Sequence, residues 1–524
     1  MGNLMSQEFT ECTNPATGEI LGRSPLNTME DVRLAVLNAR AAQAKWAGFS
    51  VTTRARAIRR VRGYLVEHVD ELAETVSRDN GKVRFDALAT EILPAALAAG
   101  YYARQARRLL RPKRLWPGHL LFANKSSQIH RVPWGVVAVI SPWNYPFGIL
   151  FSEVVMALLA GNGVVLKVAS QTQMVGRALE RVFTAAGLPP GLFAYVNLPG
   201  RAAGDALLEA GVDKLFFTGS VAVGKELMGK AAKTLTPLCL ELGGNDPMLV
   251  CPDADLERAA GGAVWGGFSN AGQSCAAVER IYVHADVYRP FLDKLAEKVR
   301  QLRIGPDSDY RVDVGAMTTA NQMETVRRHI DDALQRGATL FAQADPQGDG
   351  RGCFLPVVVL TDVDHSMAVM KEETFGPVVA VMKVDDMETA VRLANDSDLG
   401  LTASVWSRNR RRAMALARRL QAGVVTINDH LMSHGLPETP WGGFKLSGIG
   451  RTHGRIGFDE MTQPQCIVGD LLGGLSRNLW WHPYSPELYE GIRGLLIGLY
   501  GRGIGTRLAG LRATLRIAGR ILRR

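Results

Sequence analysis

The chain has little cysteine for its 524 residues: six, at positions 12, 239, 251, 275, 353 and 466, with no CxxC pair and no regular spacing. That argues against a disulfide-framed secreted fold and against a thiolate-built metal site, so no metal is expected, and it points to free thiols in a reducing, cytoplasmic compartment. There is no run of 18 or more consecutive apolar residues, so no transmembrane helix is expected. The opening stretch MGNLMSQEFTEC lacks the basic-then-apolar build of a secretory leader. MGNLMS does fit the M-G-x-x-x-S myristoylation pattern. The bias of 47 Arg against 14 Lys suggests a GC-rich bacterial genome, in which that match is fortuitous. Internal repeats and low-complexity segments are also missing.

Acid is missing from one end of the chain. Residues 491–524 hold eight Arg and no Asp or Glu, which leaves about +2 of the net +10 for the other 490 residues. The body is therefore near charge balance, and no nucleic-acid partner is expected. With 47% hydrophobic and 21% charged residues the composition is that of a globular protein, and the length calls for two or more domains.

What is present is an alternation of periods. Residues 28–110 read as helices, among them TMEDVRLAVLNARAAQAKW and one long helix RARAIRRVRGYLVEHVDELAETVSRDNGK with Gly81 near its end. Residues 115–132 read as extended chain. From residue 135 strands such as GVVAVI, GVVLKV and KLFFTG alternate with helices such as PFGILFSEVVMALLAG, which predicts βαβ units and a parallel sheet with ligands beyond the carboxyl ends of its strands. A second α/β pattern runs from about 250 to 430, closed by GVVTIND.

Several residues could carry chemistry, and each has a plainer reading. Gly219 and Gly224 bracket the turn GSVAVG before a helix; such a turn holds a phosphate or is only a strand–helix loop, and it is not a GxGxxG fingerprint. Lys167, ending GVVLKV, can reach ribose or phosphate oxygens or sit in solvent. Glu241 in LCLELGG is a buried general base or a paired structural acid. Asn144 in SPWNYPF can donate to an oxyanion or serve a turn. Cys275 in NAGQSCAAVER has no His within ten residues, and its composition leaves it open between nucleophile and small apolar filler.

Seven runs, in order, decide between these readings: SPWNYPF, LKVAS, FTGSVAVG, LELGGNDP, GQSCAA, KEETFGPV and PWGGFKLSGIGR. From about residue 14 to 465 the chain resembles an NAD(P)-dependent aldehyde dehydrogenase, nearest to the branch with fatty and coniferyl aldehyde enzymes. The resemblance implies an α/β fold: a Rossmann-like cofactor-binding domain (1–114 and 132–241), an α/β catalytic domain (242–454), oligomerisation strands (115–131 and 455–469) in a homodimer or homotetramer, and an extra C-terminal helical tail (470–524). It implies Cys275 as nucleophile, Asn144 with the Cys275 N–H as oxyanion hole, and Glu241 as the base for hydrolysis to the acid, a base that CoA-acylating relatives generally lack. For NAD or NADP it implies Lys167, Ser170, Trp143, Gly219, Ser220, Gly224, Leu242, Glu373 and Phe375. Ser170 stands where the family commonly has a Glu that repels a 2′-phosphate, which opens the site to NADP. Tyr145, Phe268 and Leu431 are expected to line a pocket for a hydrophobic aldehyde. Arg280 is the one Arg adjoining the Cys275 and Asn144 runs, which weakens the alternative of a semialdehyde acid such as succinate semialdehyde. A second alternative is a catalytically idle, membrane-associated relative.

The tail exceeds the family's usual end. Leu508, Leu511, Leu515, Ala518 and Leu522 share one helical face, and Arg512, Arg516, Arg520 and Arg524 form another stripe, preceded by Trp480, Trp481 and Tyr484. A basic amphipathic segment with aromatics is expected to lie on a membrane, at its inner face; packing on a partner subunit is the alternative.

Overall fold

The structure is a computed structural model that describes residues 8–347, 350–475 and 478–522. The MGNLMS pattern and Arg524 lie outside the described residues, as do the side chains of Ala518, Arg520 and Leu522. The chain forms two compact units, one of residues up to 110 and 132–463, the other of 111–131 and 464–524.

Two sheets build the first unit. The first has six strands in the order Gly448–Ile449, Leu238–Glu241, Lys214–Thr218, Val136–Ile140, Gly163–Lys167 and Phe193–Tyr195. All neighbours are parallel except the two-residue edge strand, which runs antiparallel to Leu238–Glu241. Val136–Ile140 and Gly163–Lys167 are buried along their whole length, as central strands covered on both faces must be, which is why their sequences are apolar runs rather than alternations. The helix Gly148–Ala160 is buried almost all round and stops at Gly161, whose φ of +104° favours glycine. The second sheet has seven strands, in the order Thr339–Ala344, Val357–Thr361, Val378–Val384, Val278–His284, Asp246–Val250, Thr402–Trp406 and Val424–Ile427, parallel except for the first.

The long helix expected over residues 54–82 is two, Val51–Glu67 and Val69–Asn80. His68 leaves helical geometry between them and stacks its ring on Tyr64 at 3.9 Å between centroids. Uninterrupted periodicity and the absence of Pro concealed the break. Gly81, with φ of +95°, ends the second helix as expected.

In the second unit Lys113–Leu115, Lys125–Pro133 and Thr462–Asp470 form a three-stranded sheet. Residues 115–131 contain a 3-10 turn at Leu120–Phe122, and the strand expected over 455–469 begins only at Thr462, because Gly454–Glu460 is helical. The tail is also two elements, Pro486–Tyr500 and Ile504–Leu522, packed antiparallel. Glycines make that contact: a Cβ on Gly494 would lie 2.6 Å from the Gly510 carbonyl oxygen, and one on Gly491 2.5 Å from Ile517. Since backbone meets backbone there, Leu508, Leu511 and Leu515 stay exposed. Among the described residues no helix is long and apolar enough to cross a membrane.

Candidate active site

The loops that leave the carboxyl ends of the first sheet's parallel strands converge on one place, as expected of an open α/β sheet. Pro142–Asn144 follow Val136–Ile140, Gly219–Ser220 follow Lys214–Thr218, and Leu242–Gly243 follow Leu238–Glu241. Cys275 arrives from the other sheet, between the helix Leu256–Phe268 and the strand Val278–His284.

The turn that delivers Cys275 is tightly fixed. Asn270, Ala271 and Gly272 are consecutive left-handed residues, with φ of 52°, 54° and 69°. Strain of this kind persists only where its surroundings impose it. The Asp86 carboxylate accepts from Asn270 N–H at 2.8 Å, and Asn270 Nδ2 donates to the Asn144 carbonyl at 2.9 Å. Gln273 donates to the Asn270 carbonyl and accepts from Thr318 N–H. Gly272 is obligatory, because a Cβ there would lie 2.0 Å from the Gly376 carbonyl oxygen.

Asn144 is held from both ends. Its backbone carbonyl also accepts from Lys82 Nζ at 2.8 Å, and Lys82 pairs with Glu91 at 2.6 Å in full burial. Glu91 in turn accepts from the N–H groups of Phe147 and Gly148. Asn144 Nδ2 donates to the Gln273 carbonyl at 3.1 Å, so one of its two amide protons is committed and the other is free for a ligand. The sequence reading missed Lys82, Glu91, Asn270 and Gln273. Their only signal was polar residues between apolar runs.

Three hollows meet at Cys275. A cavity of about 440 Å³ is lined by Phe85, Leu93, Tyr145, Ile149, Trp265, Leu431, Met432 and Trp441, among others. A cleft of about 250 Å³ is lined by Trp143, Asn144, Gly219, Ser220, Leu242, Gly243, Gln322, Glu373 and Phe375, among others. A hollow of about 10 Å³ holds Glu241, with Glu153, Thr218, His434 and Thr452 among its other walls. Among the described residues Cys275 alone lines both the large cavity and the cleft. The structure thus brings together Cys275, Asn144, Glu241, Trp143, Gly219, Ser220, Leu242, Glu373, Phe375, Tyr145 and Leu431.

Phe268 does not join them. It is 1% exposed in the core and faces a neighbouring cavity of about 500 Å³, while Trp265, one helical turn earlier, takes the expected place against the 440 Å³ cavity. Both lie on one face of Leu256–Phe268, three positions apart, and the separation runs along the helix: Trp265 touches both cavities, whereas Phe268, the helix's last residue, touches only the neighbouring one. Lys167, Ser170 and Gly224 lie outside the lining of the cleft. Lys167 ends the buried strand, Ser170 opens the 3-10 turn Ser170–Thr172, and Gly224 packs beneath Leu242, where a Cβ would come within 2.8 Å of that side chain.

Charge follows burial. Burial raises the Cys275 thiol well above its usual value, and the carboxylates of Glu373, Asp246 and Glu241 raise it further. Burial raises Glu241 well above the carboxylate range, with Glu153 adding to it and Arg451 opposing, and neither Glu241 oxygen has a hydrogen-bond partner. Burial lowers Lys167 to about 8, and its ammonium has no ion pair or hydrogen bond among the described residues. Arg280 is fully buried and spent on the carbonyls of Asn245, Leu393 and Ala394 and on the Tyr282 hydroxyl, so it does not face the cavity. Cys12, Cys239 and Cys251 are buried thiols, each raised by burial, which disfavours the reactive thiolate.

A dinucleotide fits the cleft. Ser220 caps the helix Val221–Ala231, whose N-terminus opens there. Gly243 leaves space that a Cβ would close, at 2.2 Å from the Glu373 carboxylate. Glu373 also accepts from Gly244 N–H at 3.0 Å, and Phe375 meets Trp143 edge-on at 5.4 Å.

Comparison with known proteins agrees with this geometry. The family model described as "Aldehyde dehydrogenase family" matches residues 4–467. A 4,4'-diapolycopene aldehyde oxidase from Methylomonas sp is 40% identical over 488 residues, covering 93% of this chain and 91% of the relative. A Mycolicibacterium smegmatis protein provisionally named an NADP(+)-linked succinate-semialdehyde dehydrogenase is 40% identical over 482 residues, covering 90% and 92%. The crystal structure of an NAD-dependent aldehyde dehydrogenase from Sinorhizobium meliloti superposes with a TM-score of 0.86 at 34% identity, covering 91% of this chain and 93% of that one. An NAD+ complex of a Bacillus cereus aldehyde dehydrogenase gives 0.84 at 33% identity, covering 88% and 93%. A matched model across nearly the whole length, over a site with one thiol between two hollows, places the chain in the aldehyde dehydrogenase family, as an oxidoreductase working with NAD or NADP.

Proposed function

We propose that the enzyme oxidises hydrophobic aldehydes to carboxylic acids, with Cys275 as nucleophile, Asn144 as oxyanion donor and Glu241 as base. The observation that carries this reading is the junction at Cys275, with an apolar cavity on one side and a dinucleotide cleft on the other. The Cys275 thiolate adds to the aldehyde carbon, and the free Asn144 amide proton with the Cys275 N–H holds the oxyanion. NAD or NADP, when bound, supplies a positively charged ring that accepts the hydride. The residual thioester on Cys275 is then attacked by a water that gives its proton to Glu241, and the acid leaves. Lys167, Ser170, Ser220 and Glu373 hold the dinucleotide.

The substrate class follows from the cavity wall. Among the described residues it has no Lys or Arg, and burial lowers His434 to about 4, so it is neutral. A semialdehyde's carboxylate would be buried there without a counter-charge, at a cost of several kcal/mol. Of the two aldehydes in the relatives' names, the wall favours diapolycopene aldehyde over succinate semialdehyde. A panel of aldehydes, each assayed with NAD and with NADP, tests this. Decanal is expected to exceed succinate semialdehyde in kcat/KM by about 100-fold or more, and NADP to be used, since Ser170 offers a 2′-phosphate no repelling carboxylate. Preference for succinate semialdehyde would overturn the substrate reading, and turnover with NAD alone the reading of Ser170.

A second reading concerns the tail. The glycine-packed hairpin leaves Tyr489, Leu496, Tyr500, Leu508, Leu511 and Leu515 exposed beside Arg493, Arg502, Arg507, Arg512 and Arg516, all exposed too. This is the composition of an in-plane anchor on anionic lipid, with about 1 kcal/mol for each Arg near the surface. Vesicles rich in phosphatidylglycerol are expected to co-sediment the full chain and not one lacking 491–524; equal binding of both would sink the reading.

A further inference from the structure

The helix Gly148–Ala160 carries one ionisable side chain, Glu153, among residues that are otherwise buried and apolar or small. Glu153 is 3% exposed, and its carboxyl makes no hydrogen bond or ion pair among the described residues. A carboxylic acid in that setting costs stability, and nothing in the packing of the helix requires it. Glu153 lines the same 10 Å³ hollow as Glu241 and Cys275, a volume on the scale of a single water.

The ionisable groups around Glu153 are almost all committed elsewhere. At the start of the helix, Glu91 from the helical turn Ala87–Ile92 is held by Lys82 and by the N–H groups of Phe147 and Gly148. Below it, Glu460 pairs with Lys214. Arg54 donates to the carbonyls of Leu159, Ala47 and Phe49, and Tyr102 to that of Pro437. Lys167, at the end of a neighbouring strand, has no anion partner and is lowered by burial. His434 and His453 are driven neutral by burial, and Cys239 is kept a thiol by it. Arg451 is the cation that bears on Glu241, and its guanidinium already donates to the Gly450 carbonyl. Two carboxyls therefore face one small, nearly dry hollow with little counter-charge. Both cannot ionise together without strong repulsion.

We propose that Glu153 and Glu241 share one proton across this hollow, and that Glu153 is the positioning residue that sets the pH at which Glu241, the carboxyl that Arg451 bears on, becomes the ionised member for hydrolysis of the acyl-enzyme. This rests on the reading of Glu241 as base. In the working state the proton sits on Glu153 and the charge on Glu241. The water oxygen bonds to the thioester carbon, its proton goes to Glu241, and the carbon–sulfur bond breaks with its electron pair on Cys275. The proton on Glu241 then returns to that sulfur, so the pair ends with the one proton it began with.

Hydrolysis of 4-nitrophenyl acetate by the full-length enzyme tests this without a dinucleotide, since the activated ester acylates Cys275 directly. The rate at which the acetyl group then leaves Cys275, a step on which the thiol's own ionisation does not bear, is expected to rise with pH in two steps in the wild type, one for each ionisation of the pair. Glu153→Gln keeps the size and removes the second ionisation, so its profile is expected to rise in a single step with a midpoint lower by about one pH unit or more. A profile that overlays the wild type after scaling would overturn the proposal, because a purely structural role changes amplitude alone. If Glu153→Gln fails to fold, Glu153→Asp decides: withdrawing the carboxyl by one methylene should bring the two steps together, and an unchanged spacing overturns the proposal. Glu241→Gln separates the two readings. If it hydrolyses the ester at the wild-type rate, the base assignment itself fails; if it is inactive while Glu153→Gln keeps the wild-type profile, only the shared proton fails.

Discussion

Cys275→Ala loses turnover of decanal by about 10,000-fold or more, with dinucleotide binding unchanged. The size of the effect follows from the absence of a substitute. Cys275 is the one described residue that lines both the apolar cavity and the cleft, so no other nucleophile reaches both an aldehyde carbon and the neighbouring ring. Alanine removes one sulfur from a half-buried position and leaves the walls intact. Reduced dinucleotide measured at 340 nm (its absorbance band) reports kcat, and quenching of protein fluorescence reports binding. A variant that retains full activity would show that chemistry happens elsewhere. The wild-type rate also depends on pH with a defined sign. The thiol is raised by burial first and then by Glu373, Asp246 and Glu241, so the thiolate is the minor form at neutral pH. Below the thiol's pKa its fraction grows about tenfold per pH unit, so kcat/KM is expected to climb from pH 7 towards pH 9. A falling profile over that range would contradict a thiol-limited step.

Glu241→Gln stops the reaction at a different point. Acylation of Cys275 needs no base at Glu241 in the proposed sequence, whereas hydrolysis does, so one equivalent of reduced dinucleotide per subunit should form at near the wild-type rate. Steady turnover should then fall by about 100- to 10,000-fold, the range over which general bases act. Intact-mass spectrometry is expected to find the acyl group on the protein, lost on reaction with an added thiol. Glutamine is nearly isosteric, and neither Glu241 oxygen has a hydrogen-bond partner to lose, so folding should be little affected. If the variant shows no burst, Glu241 acts before the thioester rather than after it.

The sequence made some of this legible and concealed the rest for physical reasons. Cys275, Asn144 and Glu241 lie in runs that the resemblance to aldehyde dehydrogenases singles out, so they could be proposed without coordinates. The strands could be found too, since Val136–Ile140 and Gly163–Lys167 must be apolar throughout to be covered on both faces. Positions that depend on where elements end were harder. Phe268 and Trp265 share one face of a short helix, and which of them meets the 440 Å³ cavity depends on how far along the helix that cavity reaches, which composition does not record. The break at His68 depends on one residue's backbone angles within an unbroken period. Glu153 was visible as a lone acid in SEVVMALLAG, but its neighbour Glu241 is 88 positions away, and only the fold brings them to one hollow. The tail was read as one amphipathic face because Leu and Arg dominate it, yet its helices meet through Gly491, Gly494 and Gly510, residues that carry no hydrophobic signal.

The junction at Cys275 bears on how such an enzyme can diverge. The aldehyde cavity and the dinucleotide cleft have a single described residue in common, so a substitution at Trp265, Leu431 or Met432 changes no wall of the cleft, and one at Gln322 or Phe375 changes no wall of the cavity. On the proposed reading, substrate range and coenzyme choice are thus separately heritable traits, each open to change by single substitutions. Their one point of mutual constraint is the sulfur, which neither trait can alter without ending both.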